Sequence, residues 1–214
     1  MNFHQGQPIL NAGIPVAQAQ RAMILVHGRG GSAADILSLA NSFQMSSFAY
    51  LAPQAATGSW YPHSFLMPLE RNEPSLSSAL SALEDLLKDL ERQGIEPEKV
   101  IMGGFSQGAC LALEYAARHA HRYGGVFAFS GGLIGPEGTP RNYPGSLEGT
   151  PIFLGCSDTD AHIPLERVEE SARVLSVLGA RVEKRIYPSM GHTINSDEIE
   201  AVREFMSNLE RQSG

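Results

Sequence analysis

The sequence predicts an α/β architecture, a mostly parallel central sheet with helices on both faces. Short β-rich apolar runs alternate along the chain with longer segments of helical period, which is the pattern of strand–helix–strand units with right-handed crossovers. Several of these runs lack the polar alternation of a half-wet strand, as expected where helices cover both faces of a parallel sheet.

The strand candidates are residues 22–26 (AMILV), 47–51, 100–104 (VIMGG), 125–129 (GVFAF), 151–155 (PIFLG) and 182–187. Between the first two, Ser32 is a helix cap with Asp35 at its third position, ahead of an apolar stripe of Ile36, Leu37, Ala40 and Phe43. After Pro74 a longer helix sets Leu76, Leu80, Leu83, Leu87 and Leu90 on one face, and Gly94 stops it. Residues 107–119 (QGACLALEYAARH) read as a helix that directly follows the third run. Pro164 suits the first turn of another, with Leu165, Val168, Ala172, Leu175 and Leu178 sharing a face before Gly179. The last helix has Asn195 or Ser196 as its cap, Asp197 and Glu198 in its first turn, then Ile199, Val202, Phe205, Met206 and Leu209 inside. The Gly/Pro-rich stretch 133–149 is too short to separate domains and reads as a loop, so residues 1–214 are expected to form a single domain.

Composition narrows the function. With 16 Lys plus Arg against 23 Asp plus Glu, the net charge of -7 argues against nucleic acid or an anionic membrane as the main partner. No apolar run approaches the roughly 20 residues that span a bilayer, and the N-terminal MNFHQGQPIL has neither the basic nor the apolar region of a secretory signal. Two cysteines, Cys110 and Cys156, make no disulfide framework and no zinc-type spacing. They read as small packed residues. The expectation is a cytoplasmic protein with a small-molecule substrate, without membrane insertion, and compatible with a homodimer.

In folds of this class ligands bind at the carboxyl ends of the strands. There the chain carries Gly104-Phe105-Ser106-Gln107-Gly108, a Gly-x-Ser-x-Gly pattern. Alone the pattern is weak; between a strand candidate and a helix it is a nucleophile elbow, which lifts the serine hydroxyl off the sheet. A serine needs a base oriented by an acid, in the chain order Ser, Asp or Glu, His. Past Ser106 the aspartates before the last histidine are Asp158 and Asp160, just after the fifth run, and spacing does not choose between them. His192 lies just after the sixth run, while His162 reads as pocket-lining or exposed.

An acyl carbonyl under attack needs two preset N–H donors. One is the backbone N–H of Gln107; the other belongs in the glycine-rich loop after the first run, His27-Gly28-Arg29-Gly30-Gly31. Because the backbone does that work, the Arg29 side chain is free for another task, such as meeting an acidic group on a substrate. This loop lacks the spacing of a nucleotide phosphate cradle. Trp60-Tyr61-Pro62 and Phe65-Leu66-Met67-Pro68 show no clean period and read as an apolar wall or short flap beside the serine, or as a satellite of the core.

Together these residues resemble the phospholipase/carboxylesterase family of small serine α/β-hydrolases, which includes acyl-protein thioesterases. The matching pieces are His27-Gly28, GFSQG at 104–108, GCSDTDAHIP at 155–164 and Met190-Gly191-His192, spread over residues 22–206. The resemblance implies an α/β-hydrolase fold with a minimal lid and the catalytic set Ser106, His192 and Asp160, preferred over Asp158. It also implies oxyanion donors on Arg29 and Gln107, and no metal or organic cofactor. Trp60, Phe65, Leu66 and His162 are the expected substrate contacts. Where the family commonly has His-Gly-Leu-Gly-Asp and Asp-Pro-Leu-Val-Pro, this chain reads HGRGG and DAHIP. Those changes fall near the expected acyl site and point to a carboxylesterase for small to medium acyl esters. Thioesterase and lysophospholipase activities are the alternatives, with a non-catalytic hydrolase-fold binding protein, or a metal hydrolase using Asp158, Asp160, His162 and His192, as rivals from other classes.

Overall fold

A computed structural model of the chain describes residues 3–43 and 45–211. Seven strands, β1 Ile9–Gly13, β2 Arg21–Val26, β3 Phe48–Pro53, β4 Val100–Phe105, β5 Gly125–Phe129, β6 Pro151–Ser157 and β7 Arg181–Tyr187, make one sheet in the order β1-β3-β2-β4-β5-β6-β7. All neighbours run parallel except the β1–β3 pair. Six of the seven coincide with the expected runs. The seventh, β1, was not expected: it is an edge strand whose ILNAG sequence is mostly exposed, so it carries neither a continuous apolar run nor a clean alternation.

The helices are α1 Ala33–Leu37, α2 Ala40–Phe43, α3 Leu69–Asn72, α4 Ser75–Arg92, α5 Gln107–Arg118, α6 Leu165–Val177 and α7 Ser196–Arg211. Alternate strand residues sort the core into two apolar clusters on opposite faces of the sheet, as the two-residue repeat of a strand requires. Ala22, Ile24 and Val26 join Leu76 and Leu83 of α4, Leu111 of α5 and Val168 of α6. Met23 and Leu25 join Ile36 of α1, Phe43 of α2 and Phe205 of α7, along with Phe127, Phe129 and Phe153 of the central strands.

The helix expected from Ser32 to Phe43 is two short helices. Its start is as expected: the Ser32 hydroxyl accepts from the Asp35 N–H and the Asp35 carboxylate accepts from the Ser32 N–H at 2.9 Å, a reciprocal capping box. At the break the Ser38 hydroxyl donates to the Asp35 carbonyl at 2.6 Å, and the main chain tightens to three-residue bonds, Ser38 N–H to Asp35 at 3.3 Å and Leu39 N–H to Ile36 at 3.1 Å. Pro164 stands one position earlier than expected, as the cap of α6 rather than in its first turn.

This strand order places the topological switch between β2 and β4, because β3 leaves β2 on one side and β4 joins it on the other. Val26 is paired with Gly104, so the segments leaving these two strands start side by side. A switch-point crevice at the carboxyl ends is where an α/β sheet binds its ligand.

Candidate active site

Ser106 bridges β4 and α5 with φ 56° and ψ -119°, a left-handed backbone that costs a non-glycine residue on the order of 1–3 kcal/mol. The surroundings hold it there. Its N–H donates to the Phe129 carbonyl at 2.9 Å and its carbonyl accepts from Cys110 N–H at 3.0 Å. A side chain at either flanking glycine, Gly104 or Gly108, would collide with the Val26 carbonyl, so the tight elbow requires both. An ordinary capping serine would spend its hydroxyl on the helix N–H groups. Ser106 makes no such bond; its Oγ lies 2.9 Å from His192 Nε2.

The loop carrying His192 (188–195) is built on the end of β6. Ser157 Oγ accepts from the Met190 and Gly191 N–H groups at 3.1 and 3.0 Å, and Asp158 Oδ1 accepts from Ser189 N–H at 2.7 Å. The imidazole is packed against Phe105 and His162, each with its ring centroid 4.7 Å away. Its Nδ1 lies 2.7 Å from Asp160 Oδ2. The other oxygen of Asp160 accepts from the His162 and Ile163 N–H groups at 2.8 and 3.1 Å. Burial opposes the charge on Asp160, but the bonds from His192 and the two N–H groups outweigh it and hold the carboxyl below its ordinary value. An ionised carboxylate only accepts, so Nδ1 carries the proton, and Nε2 is left to accept from the Ser106 hydroxyl.

Of the two aspartates, Asp160 is the one that meets His192; Asp158 braces the loop that carries it. Gln107, the first residue of α5, has an N–H with no intrahelical acceptor. Arg29 sits in the loop after β2, and both residues line a cavity of about 780 Å³ together with Ser106 and His192. Ile36, Leu39 and Ile194 wall it from one face of the sheet, Tyr61, Phe65 and Ile163 from the other. The cavity thus straddles the sheet rim above the serine.

A family model for phospholipase/carboxylesterases matches residues 13–210. The chain belongs to that family. It is 28% identical to acyl-protein thioesterase 1 of Saccharomyces cerevisiae over 92% of this chain and 96% of the yeast protein. Among solved structures, a phospholipase/carboxylesterase from Dyadobacter fermentans superposes with a TM-score of 0.91 at 45% identity, covering 95% of this chain and 97% of that one. The Bacillus cereus carboxylesterase, at 18% identity and a TM-score of 0.75 over 96% of this chain and 95% of that one, shares the fold. The protein is accordingly an α/β-hydrolase-fold enzyme of the serine hydrolase class.

Of the four residues expected at the substrate of this phospholipase/carboxylesterase relative, Phe65 and His162 line the cavity. Trp60 and Leu66 do not line it. Trp60 is fully buried and stands away from the cavity: its ring packs against His4 and His27 and its Nε1–H donates to the His27 carbonyl at 2.9 Å, so it is a wedge under the site loops. Leu66 is half-buried and packs against the core cluster that includes α4 and α5. Their neighbours Tyr61 and Pro62 take the wall positions. His4 was not anticipated at all, yet it accepts from Ala56 N–H at 3.1 Å and meets the Trp60 carbonyl at 3.0 Å. Both cysteines are buried in the core cluster, and burial pushes their thiols up to about 12. No helix among the described residues is long and apolar enough to cross a membrane, and no three described His, Cys, Asp or Glu side chains converge as a metal site requires.

Proposed function

We propose that the protein is a carboxylesterase that hydrolyses small to medium acyl esters through Ser106, His192 and Asp160. The observation that carries this reading is the continuous relay from Ser106 Oγ to His192 at 2.9 Å and on to Asp160 at 2.7 Å, opening onto an apolar-walled cavity. His192 takes the Ser106 proton as the oxygen attacks the ester carbonyl, and Asp160 holds the tautomer and stabilises the imidazolium. The N–H groups of Gln107 and Arg29 receive the oxyanion, each donor of this kind being worth roughly 2.7–4 kcal/mol. Collapse returns the proton from His192 to the departing alkoxide and leaves an acyl-serine. Water, deprotonated by the same imidazole, then releases the acid and restores the hydroxyl. No step in this cycle calls on a cofactor, and residues 1–214 would act as one domain.

The test is direct. A fluorophosphonate probe should label the wild-type chain and not Ser106→Ala, and the variant should lose p-nitrophenyl butanoate turnover; undiminished turnover would reject the assignment. The similarity to the yeast acyl-protein thioesterase supports a second reading, a thioester substrate, which the same relay would serve. Rates on paired esters and thioesters of equal acyl length decide between the two.

A further inference from the structure

The two residues assigned here to the oxyanion also hold, through their side chains, one continuous piece of cavity wall. Gln107 accepts from Trp60 N–H at 2.9 Å and donates to the Tyr61 carbonyl at 2.8 Å. Arg29 donates through Nη1 to Ser59 Oγ at 3.2 Å and the Pro62 carbonyl at 2.8 Å, and through Nη2 to the His63 carbonyl at 2.6 Å. Its guanidinium carbon stands 5.9 Å from the centre of the Tyr61 ring.

Upstream, the wall is fixed by buried groups: Ala55 N–H donates to His27 and Ala56 N–H to His4, both at 3.1 Å. Downstream, Asn72 accepts from His63 N–H at 2.9 Å and donates to the Ser64 carbonyl at 3.0 Å. Between these anchors Pro62 and His63 are exposed. Among the described residues, Arg29 is the side chain that ties their carbonyls back to the catalytic rim.

We propose that Arg29 is a positioning residue that sets acyl-chain preference by pinning the Ser59–His63 wall to the loop bearing its own oxyanion N–H. A guanidinium suits the task because its rigid fork reaches two successive carbonyls and a hydroxyl together, whereas an ammonium gathers its donors on one atom. The proposal rests on the hydrolase reading above. It is the side-chain role that the sequence left open, and it turns the guanidinium toward the protein instead of toward an acidic substrate group.

The experiment compares wild type, Arg29→Met and Arg29→Lys on p-nitrophenyl esters from acetate to decanoate, with fluorophosphonate labelling of each. Releasing the wall should raise KM for the short esters and spare the long ones, moving the octanoate-to-butanoate ratio of kcat/KM about fivefold or more in Arg29→Met. Arg29→Lys should recover part of that shift. Because the side chain is exposed, Tm should move by no more than about 2 °C. A chain-length profile of Arg29→Met that overlays the wild type overturns the proposal, as does an equal loss of kcat at every length in both variants. A wild type that fails to label defeats the hydrolase reading itself, which separates the two failures. A butanedioate half-ester preferred over butanoate by wild type and lost in both variants would assign the guanidinium to substrate carboxylate and also overturn the proposal.

Discussion

Asp158 and Asp160 stand two residues apart on one loop and hold different things. Asp160 accepts the His192 proton side while Asp158 accepts a backbone N–H of the loop that delivers His192. Asp160→Asn replaces an acceptor by an amide that can present a donor to Nδ1 and favours the wrong tautomer, so kcat should fall by about 10³–10⁴. Asp158→Asn keeps an oxygen for Ser189 N–H, and its loss should stay below about tenfold. Steady-state kinetics on one short ester measures both, and the reverse ranking would transfer the role. The positions of Ser106, His192, Gln107 and Arg29 at the carboxyl rim were legible because strand ends and a Gly-x-Ser-x-Gly elbow fix them through local rules. Spacing alone left Asp158 and Asp160 open and the family resemblance favoured Asp160, the carboxyl that the fold turns toward His192. Trp60 and Leu66 were unreadable for a different reason. Residues 59–64 are held by His4, His27, Arg29, Asn72 and Gln107, most of them remote in sequence, and no period reveals which of their side chains face the cavity.

At the scale of elements, α7 contains a buried acid whose cost can be measured. Asn195 and Glu198 form a reciprocal cap at 2.9 Å each way, which resolves the choice between Asn195 and Ser196 in favour of Asn195. Glu198 Oε1 has no hydrogen-bond partner and the residue is fully buried against β6. Burial pushes its carboxyl up to about 7; the Asn195 N–H works against that shift and Asp197 adds to it. The folded value lies above the unfolded one near 4.5, so the folded state binds this proton more tightly. The group's contribution to stability is therefore complete below about pH 4.5 and is lost as the pH rises through about 7. Glu198→Gln keeps the shape and the acceptor without the charge. It should match wild type at pH 4.5 and be more stable at pH 8 by about 2–3 kcal/mol, read from urea midpoints at the two pH values. An equal difference at both would remove the titration from the account. Other elements were legible to different degrees. The leucine stripe of α4 announces itself, whereas β1 is stabilised by pairing with β3 and leaves almost no trace in its own five residues.

For the whole molecule, the order of strands does the functional work. Reversal between β2 and β4 sets the Arg29 loop beside the Ser106 elbow, and β6 and β7 bring Asp160 and His192 to the same rim. The fully buried runs of β2, β4 and β5 made the parallel sheet readable, because such strands need two covered faces. That arrangement makes a prediction about cooperativity. Leu83 lies in the cluster on one face and Phe127 in the cluster on the other, both fully buried, and the sheet itself is shared between them. Leu83→Ala should cost about 2–5 kcal/mol and Phe127→Ala about 3–5 kcal/mol. With no side chain common to the two clusters, the double variant should lose close to the sum. Trp60, the single tryptophan, reports the wall beneath the active site, while far-UV circular dichroism reports the sheet and helices. If the chain unfolds as one unit, fluorescence and dichroism midpoints in urea coincide for wild type and move together in each variant. Separate midpoints, or a variant that shifts one probe and leaves the other in place, would divide the chain into independently stable parts and break the coupling between the two faces.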